Sequence, residues 1–273
     1  MEHRVQNGDV TLSYCVEGPP DAPTVLLISS IAATRELWAR QMPALVASYR
    51  VIRYDTRGHG RSSAPPGEYT LEQLGRDALA VLDDAGSATA HVCGISLGGI
   101  TAQWLGINAP DRVATLVLAN TAARIGTVEG WNERIALVRE KGMTVLAEMT
   151  IPRWFSPEFQ ARDADTVRGF RTMIQSCPLD GYLGCCAALR DADVRGQLSS
   201  IRCPTLVIAS TDDAATPTEG LAFIRDRVPG ARMVTVESRH LSNIECAEAF
   251  TGAVLDFLPA AAPGGGSAEP GWR

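Results

Sequence analysis

Basic stretches, long apolar runs and histidines are what this sequence has least of. Lys and Arg total 25 against 31 Asp and Glu, for a net charge of −6 and a pI near 5.3. The basic residues never form a run, so a phosphate backbone or an anionic bilayer finds no electrostatic footing, and neither nucleic acid nor a membrane is expected as a partner. No segment reaches the roughly 18 uninterrupted apolar residues of a membrane-crossing helix. The start, Met1-Glu2-His3-Arg4, is polar with no apolar stretch behind it. A soluble protein of the cytoplasm is expected. The 7 cysteines are an odd number set mostly inside apolar runs, which points to reduced, buried thiols. Cys185-Cys186, the one close pair, has neither C-x-x-C spacing nor neighbouring histidines, so no metal site is assigned. No internal repeat is visible.

What is present is enough apolar material, 45% of 273 residues, for one large core with at most a small insertion. Asn7-Gly8 between β-like runs predicts a type I′ hairpin. Apolar runs at 24–28, 50–54, 113–119, 205–209 and 232–236 predict strands, the first of them buried on both faces. Helices are predicted at 36–46, with Trp38, Met42 and Leu45 on one side, and at 219–228 and 247–258. A further helix starts behind a capping box, Thr70 with Gln73, and ends near Gly86. Residues 124–198 interrupt this alternation with helical segments, aromatics and prolines, and are read as a helical lid. The organisation is therefore an α/β core at 1–123 and 199–258 and a lid at 124–198. The Ala-, Gly- and Pro-rich 259–273 is read as a disordered tail.

The chain is organised around residues 91–103, where a β-prone run ends in Gly94-Ile95-Ser96-Leu97-Gly98 and a helix-compatible segment follows at once. A strand, a sharp turn and a helix in that order make Ser96 a candidate nucleophile, held out above the sheet on a strained backbone. Gly94 and Gly98 keep neighbouring side chains clear of it. The Leu97 N–H, at the first turn of the new helix, is half of an oxyanion hole. Such an elbow calls for an acid and then a base downstream. Asp212 and Asp213 follow the strand after the lid; only one can face the site, and Asp213 is favoured. The base belongs after the last strand. Of 4 histidines, His3 is terminal, His59 lies in a glycine turn and His91 begins the strand before the elbow, which leaves His240. Ser96, Asp213 and His240 then divide the labour of acyl transfer: attack, tautomer control and proton transfer.

Tyr54-Asp55-Thr56-Arg57-Gly58-His59-Gly60, Cys93-Gly94-Ile95-Ser96-Leu97-Gly98-Gly99, Leu118-Ala119-Asn120-Thr121-Ala122-Ala123, Arg153-Trp154-Phe155 and His240-Leu241-Ser242-Asn243-Ile244-Glu245 resemble the 3-oxoadipate enol-lactonases, α/β-hydrolases of the β-ketoadipate pathway. The elbow is common to the whole superfamily, whereas the Asn120 and His240 stretches are more diagnostic. The resemblance covers roughly residues 5–258. It implies the α/β-hydrolase fold, a mostly parallel eight-stranded sheet flanked by helices with a helical lid, and a small lactone or ester as substrate with no cofactor. It also implies that the Ile31 N–H is the second oxyanion donor. Arg153, with the Trp154 indole N–H, is the candidate for a substrate carboxylate in a closed lid pocket. Where the family reads Ser-Asn-Ser-Leu-Gly-Thr, this chain has Ile28-Ser29-Ser30-Ile31-Ala32-Ala33, and it carries Asp212 where the family often has another polar residue. The alternatives are a related hydrolase acting on another ester, lactone or C–C bond, a perhydrolase, or a binding protein without turnover.

Overall fold

The apolar runs become strands. β1 (Glu2–Asn7), β2 (Val10–Glu17), β3 (Thr24–Ile28), β4 (Arg50–Tyr54), β5 (Ala90–Ile95), β6 (Val113–Ala119), β7 (Thr205–Ser210) and β8 (Arg232–Val236) join in one sheet in the computed structural model. It describes residues 2–259, so the tail expected at 259–273 lies, Pro259 apart, outside the described residues. Across the sheet the order is β1-β2-β4-β3-β5-β6-β7-β8. β2 pairs antiparallel with both β1 and β4, and the pairings from β4 through β8 are parallel. Every residue of β5 and β7 is buried, which is why these strands read as continuous apolar runs and not as alternation.

The helices are α1 (Met42–Leu45), α2 (Leu71–Asp84), α3 (Leu97–Asn108), α4 (Val128–Trp154), α5 (Pro157–Arg162), α6 (Ala164–Gln175), α7 (Leu179–Asp191), α8 (Thr218–Arg227), α9 (Ser242–Glu245) and α10 (Ala247–Phe257). The predicted capping box opens α2: the Gln73 N–H donates to Thr70 Oγ1 at 3.2 Å and the Thr70 N–H to Gln73 Oε1 at 2.9 Å. Between β6 and β7 the described chain is helical, and α4 is two helices broken at Gly142, whose φ of 78° and ψ of 179° suit glycine alone.

Three expectations change. The hairpin loop is Gly8-Asp9, with Asn7 paired to Val10, and only Gly8 has positive φ, so the turn is of the II′ kind that needs glycine in first place. The helix predicted at 36–46 is a 3₁₀ turn, Arg35–Trp38, followed by the short α1. Pro43 is the reason: without an N–H it cannot continue a helix from Ala39, so the chain restarts with Pro43 in the first turn of α1. Trp38, Met42 and Leu45 still reach the core. Of the cysteines, Cys93, Cys177, Cys185 and Cys186 are buried, whereas Cys15, Cys203 and Cys246 are half-buried; all are free thiols.

The turn between β5 and α3 holds Ser96 at φ 58° and ψ −117°, a conformation that side-chain-bearing residues avoid. Its glycines act differently from the expectation. A Cβ on Gly94 would stand 2.1 Å from the Gly98 carbonyl oxygen, and one on Gly98 would stand 2.1 Å from that of Ile28. They let α3 settle onto β5 and β3 and do not clear space around the serine. Because backbone occupies that space on both sides, Gly98→Ala should cost about 3 kcal/mol or more, at the top of the range for overpacking. A urea unfolding midpoint that stayed at the wild-type value would show that the helix can shift away.

Candidate active site

Four neighbouring parallel strands deliver the site from their carboxyl ends, where ligands of open α/β sheets collect. Ser96 follows β5, Asn120 follows β6, Asp213 follows β7 and His240 follows β8. Ser96 and His240 line one cavity of about 210 Å³, together with Ile31, Trp131, Arg134, Arg153, Trp154 and others.

His240 is buried, and its Nδ1 lies 2.8 Å from Asp213 Oδ2. A carboxylate only accepts, so Nδ1 carries the hydrogen and Nε2 is left as the nitrogen free to take a proton. The same carboxylate accepts from Thr216 Oγ1 at 2.6 Å, from the N–H groups of Ala215 and Thr216 at 2.8 and 3.1 Å, and from Asn120 Nδ2 at 3.1 Å. Burial alone would push the Asp213 carboxyl upward. The facing His240, its hydrogen bond and those of Thr216 outweigh burial and hold it well below the usual carboxylate range. Asp212 points elsewhere: its Oδ2 accepts from Arg239 Nε at 2.8 Å, and its side chain is exposed. The choice between the adjacent acids is thus made by what each one touches.

Leu97 is the first residue of α3, so its N–H has no carbonyl one turn back in that helix. The Ile31 N–H makes no hydrogen bond among the described residues. Both donors are therefore open to an incoming oxygen. Ser29, one of the positions departing from the resembled pattern, is spent inside its loop, its hydroxyl donating to the Thr34 carbonyl at 3.2 Å.

Arg153 lines the cavity but is exposed, so it stands at the mouth and not in a closed pocket. Neither it nor Arg134, which sequence reasoning missed, has an ion-pair partner among the described residues. Partial burial and then the neighbouring positive charge of Arg134 lower the Arg153 pKa, against the pull of Asp213. Trp154 is buried against Phe170, with ring centroids 6.1 Å apart, and also lines the cavity. No group of three or more metal-ligating side chains occurs among the described residues, and no helix there is long and apolar enough to cross a membrane.

Residues 23–247 match the alpha/beta hydrolase fold family. The chain belongs to that family. 3-Oxoadipate enol-lactonase 2 of Acinetobacter baylyi is 40% identical to this hydrolase over 246 residues, 90% of this chain and 92% of the relative. The crystal structure of the enol-lactonase from Burkholderia xenovorans LB400 superposes with a TM-score of 0.92 at 38% identity, covering 93% of this chain and 99% of that one. A hydrolase from Pseudomonas aeruginosa PA01 superposes with a TM-score of 0.91 at 43% identity, covering 95% and 98% of the two chains. The resemblance read from the motifs thus extends over nearly the whole hydrolase.

The two stretches singled out as diagnostic now have physical roles. Asn120, fully buried at φ 42°, donates from Nδ2 to Asp213 and to Ser210 Oγ, and its Oδ1 accepts from Ser242 Oγ. Thr121 Oγ1 donates to the Ser96 carbonyl at 2.8 Å, and Asn243 Nδ2 to the Leu37 carbonyl at 2.9 Å. Sequence reasoning gave neither Asn120 nor Thr216 a role around the acid. The signals for Asn120 were its place at the end of a strand beside the elbow and its membership of a stretch shared with the resembled family.

Because the Asp213 carboxyl titrates lower in the folded chain than its unfolded value of about 3.9, its contribution to stability is complete above that pH and is lost as pH falls through the folded value. Thermal unfolding followed from about pH 6 to pH 2 should therefore show wild type losing more Tm below about pH 4 than Asp213→Asn, which has no carboxylate to protonate. Parallel curves would mean that the carboxylate gains nothing from its partners.

Proposed function

We propose that this hydrolase opens a small lactone carrying a carboxylate, the reaction named for its enol-lactonase relatives, through an acyl-enzyme on Ser96. The observation that carries the reading is the buried Asp213–His240 hydrogen bond, which leaves His240 Nε2 free in the cavity that Ser96 lines. His240 takes the Ser96 proton as Oγ attacks the lactone carbonyl, and the Ile31 and Leu97 N–H groups receive the oxyanion. Asp213 keeps the imidazole in its Nδ1–H tautomer and stabilises the cation that forms. When the tetrahedral intermediate collapses, the ring C–O bond breaks and the leaving oxygen departs as an enolate. The enolate becomes a ketone by taking a proton on carbon. Such a leaving group needs little help from an acid, so the three residues suffice to open the ring. Water, deprotonated by His240, then attacks the acyl carbon and returns Ser96.

Selectivity comes from the far end of the substrate. Arg134 and Arg153 bring two guanidinium groups without carboxylate partners among the described residues to one cavity, Arg134 lying over the Trp131 ring, and the Trp154 indole also lines it. A free carboxylate is the partner such a pair lacks. The helical segment 124–198 acts as the lid that carries this end of the site.

Ser96→Ala should remove essentially all hydrolysis and leave the fold intact. Asp213→Asn should lower kcat by about 10³ to 10⁴, as wrong-tautomer substitutions do, whereas Asp212→Asn should stay within a few-fold of wild type. Steady-state kinetics on p-nitrophenyl acetate decides this, and the opposite ranking of the two acids would overturn the assignment.

Since Arg153 keeps contact with solvent, its attraction for a carboxylate is screened. Arg153→Gln should lower kcat/KM for 3-oxoadipate enol-lactone about tenfold, on the order of 1 kcal/mol, and Arg153→Gln with Arg134→Gln by more. Hydrolysis of p-nitrophenyl acetate should move by less than about twofold, because no carboxylate is there to bind. Equal losses on both substrates would show that the arginines support the lid and not the substrate.

A further inference from the structure

The loop after β3 contains a conformational oddity outside the proposed triad. The Ala33 N–H donates to the Ser30 carbonyl at 3.2 Å, closing a turn with Ile31 and Ala32 at its centre. Ala32, at φ 61°, occupies the second central position, where a type II turn needs positive φ and where glycine or asparagine is usual. An alanine there costs about 1 kcal/mol, so something outside the turn must hold it. The holder is His59. Its Nε2 accepts from the Ala32 N–H at 2.8 Å, and its Nδ1 lies 3.1 Å from the Arg57 carbonyl.

These two contacts admit one state of the ring. Ala32 N–H can only donate, so Nε2 carries no hydrogen; the Arg57 carbonyl can only accept, so Nδ1 carries one. The imidazole is neutral, and a second proton on Nε2 would set two donors against each other at hydrogen-bond distance. The ring has no room to turn away. His59 is buried, its own N–H donates to the Thr56 carbonyl at 2.9 Å, and its carbonyl accepts from Ser62 at 3.0 Å. Gly58, beside it, lies so close to Gly181 of α7 that a Cβ would stand 2.3 Å from the Gly181 Cα.

We propose that His59 is a positioning residue for the oxyanion hole: its neutral imidazole pins Ala32, and through it the preceding Ile31 N–H, so that protonating His59 disarms the hydrolase. The inference rests on the role given to Ile31 in the proposed function.

The charged and titratable groups around the ring favour the neutral form. Asp55 is the one nearby carboxylate whose charge pulls His59 toward protonation, and it is already occupied, accepting from the Arg35 and Arg61 N–H groups at 2.7 and 3.0 Å. The Arg57 guanidinium is turned to Asp77, its Nε 2.6 Å from Oδ2. From the α7 side come the thiols of Cys177 and Cys185, directed at the Gly58 and Arg57 carbonyls, and burial pushes Cys177 up to about 12, so they carry no charge. Burial outweighs the pull of Asp55 and lowers the His59 pKa. Its protonation limb thus falls below the range of an ordinary imidazole.

The test uses His59→Gln, whose amide oxygen accepts from Ala32 without titrating, and His59→Phe, which offers no acceptor. His59→Phe should lower kcat about 10- to 100-fold with KM nearly unchanged, approaching the loss of one oxyanion donor. The loss should be the same on p-nitrophenyl acetate and on the carboxylated lactone, and His59→Gln should restore most of it. In wild type, the slope of log kcat/KM against pH should steepen from one toward two at low pH, as two groups must stay unprotonated. In His59→Gln it should remain one. A wild-type kcat in His59→Phe, or a slope of two kept in His59→Gln, would overturn the proposal. If His59→Phe does not fold, the His59→Gln profile decides alone. Activity retained in Ser96→Ala would instead fell the reading beneath it, whereas an inactive Ser96→Ala beside unaffected His59 variants would fell this inference alone.

Discussion

A carboxylate buried in this fold must be surrounded by donors, and that requirement organises the site. Taking Asp213 out of water costs several kcal/mol unless hydrogen bonds replace its hydration. Its oxygens meet five donors, from Asn120, Ala215, Thr216 backbone and hydroxyl, and His240. These come from the ends of three adjacent strands, so β6, β7 and β8 have to lie in register for the carboxylate to be satisfied. The same register brings His240 to the cavity that Ser96 lines. Stability of the buried charge and alignment of the proposed reacting groups are one arrangement, and a disturbance of either disturbs both.

A second set of contacts fastens the helical insertion to the loop that carries His240. Arg239, next in the chain, joins Asp212 by its side chain and also reaches the Pro152 carbonyl, one residue from Arg153. The Leu241 N–H donates to the Trp154 carbonyl at 3.3 Å, and Glu245 accepts from the N–H groups of Ser156 and Arg239. Asp212, which the sequence offers as a rival acid, thus serves this attachment. The cavity is consequently polarised: an anionic group lies behind His240 on the sheet side, and two guanidiniums without ion-pair partners among the described residues lie on the helical side. The proposed substrate, with a neutral reacting carbonyl and an anionic tail, matches that gradient.

Much of this was legible in the linear order. The runs at 24–28 and 113–119 coincide with strands because buried strands demand nearly continuous apolar sequence, those at 50–54 and 232–236 coincide with strands that are less buried, and the capping box at Thr70 works through neighbours three residues apart. Ser96, Asp213 and His240 were readable because each ends or follows a strand in an order the elbow requires. The misreadings share a cause. The periodicity of 36–46 indicated the buried face correctly, but a proline overrode it. The elbow glycines were placed correctly and given the wrong role, because what they touch, the Ile28 carbonyl and the α3 backbone, is brought there by folding.

By itself, then, the sequence determined the fold class and the strands of the sheet, and it singled out the serine, the histidine and the pair of adjacent acids from which the proposed site is drawn, since each depends on local pattern or chain order. Tertiary structure alone decided which of two adjacent carboxylates faces His240, that Arg134 joins Arg153 at the cavity, and that a histidine in a glycine turn holds Ala32 in a conformation it would otherwise leave. Those outcomes depend on distances between groups far apart in the chain. A hydrogen bond is sensitive to tenths of an ångström, and no one-dimensional pattern carries that information.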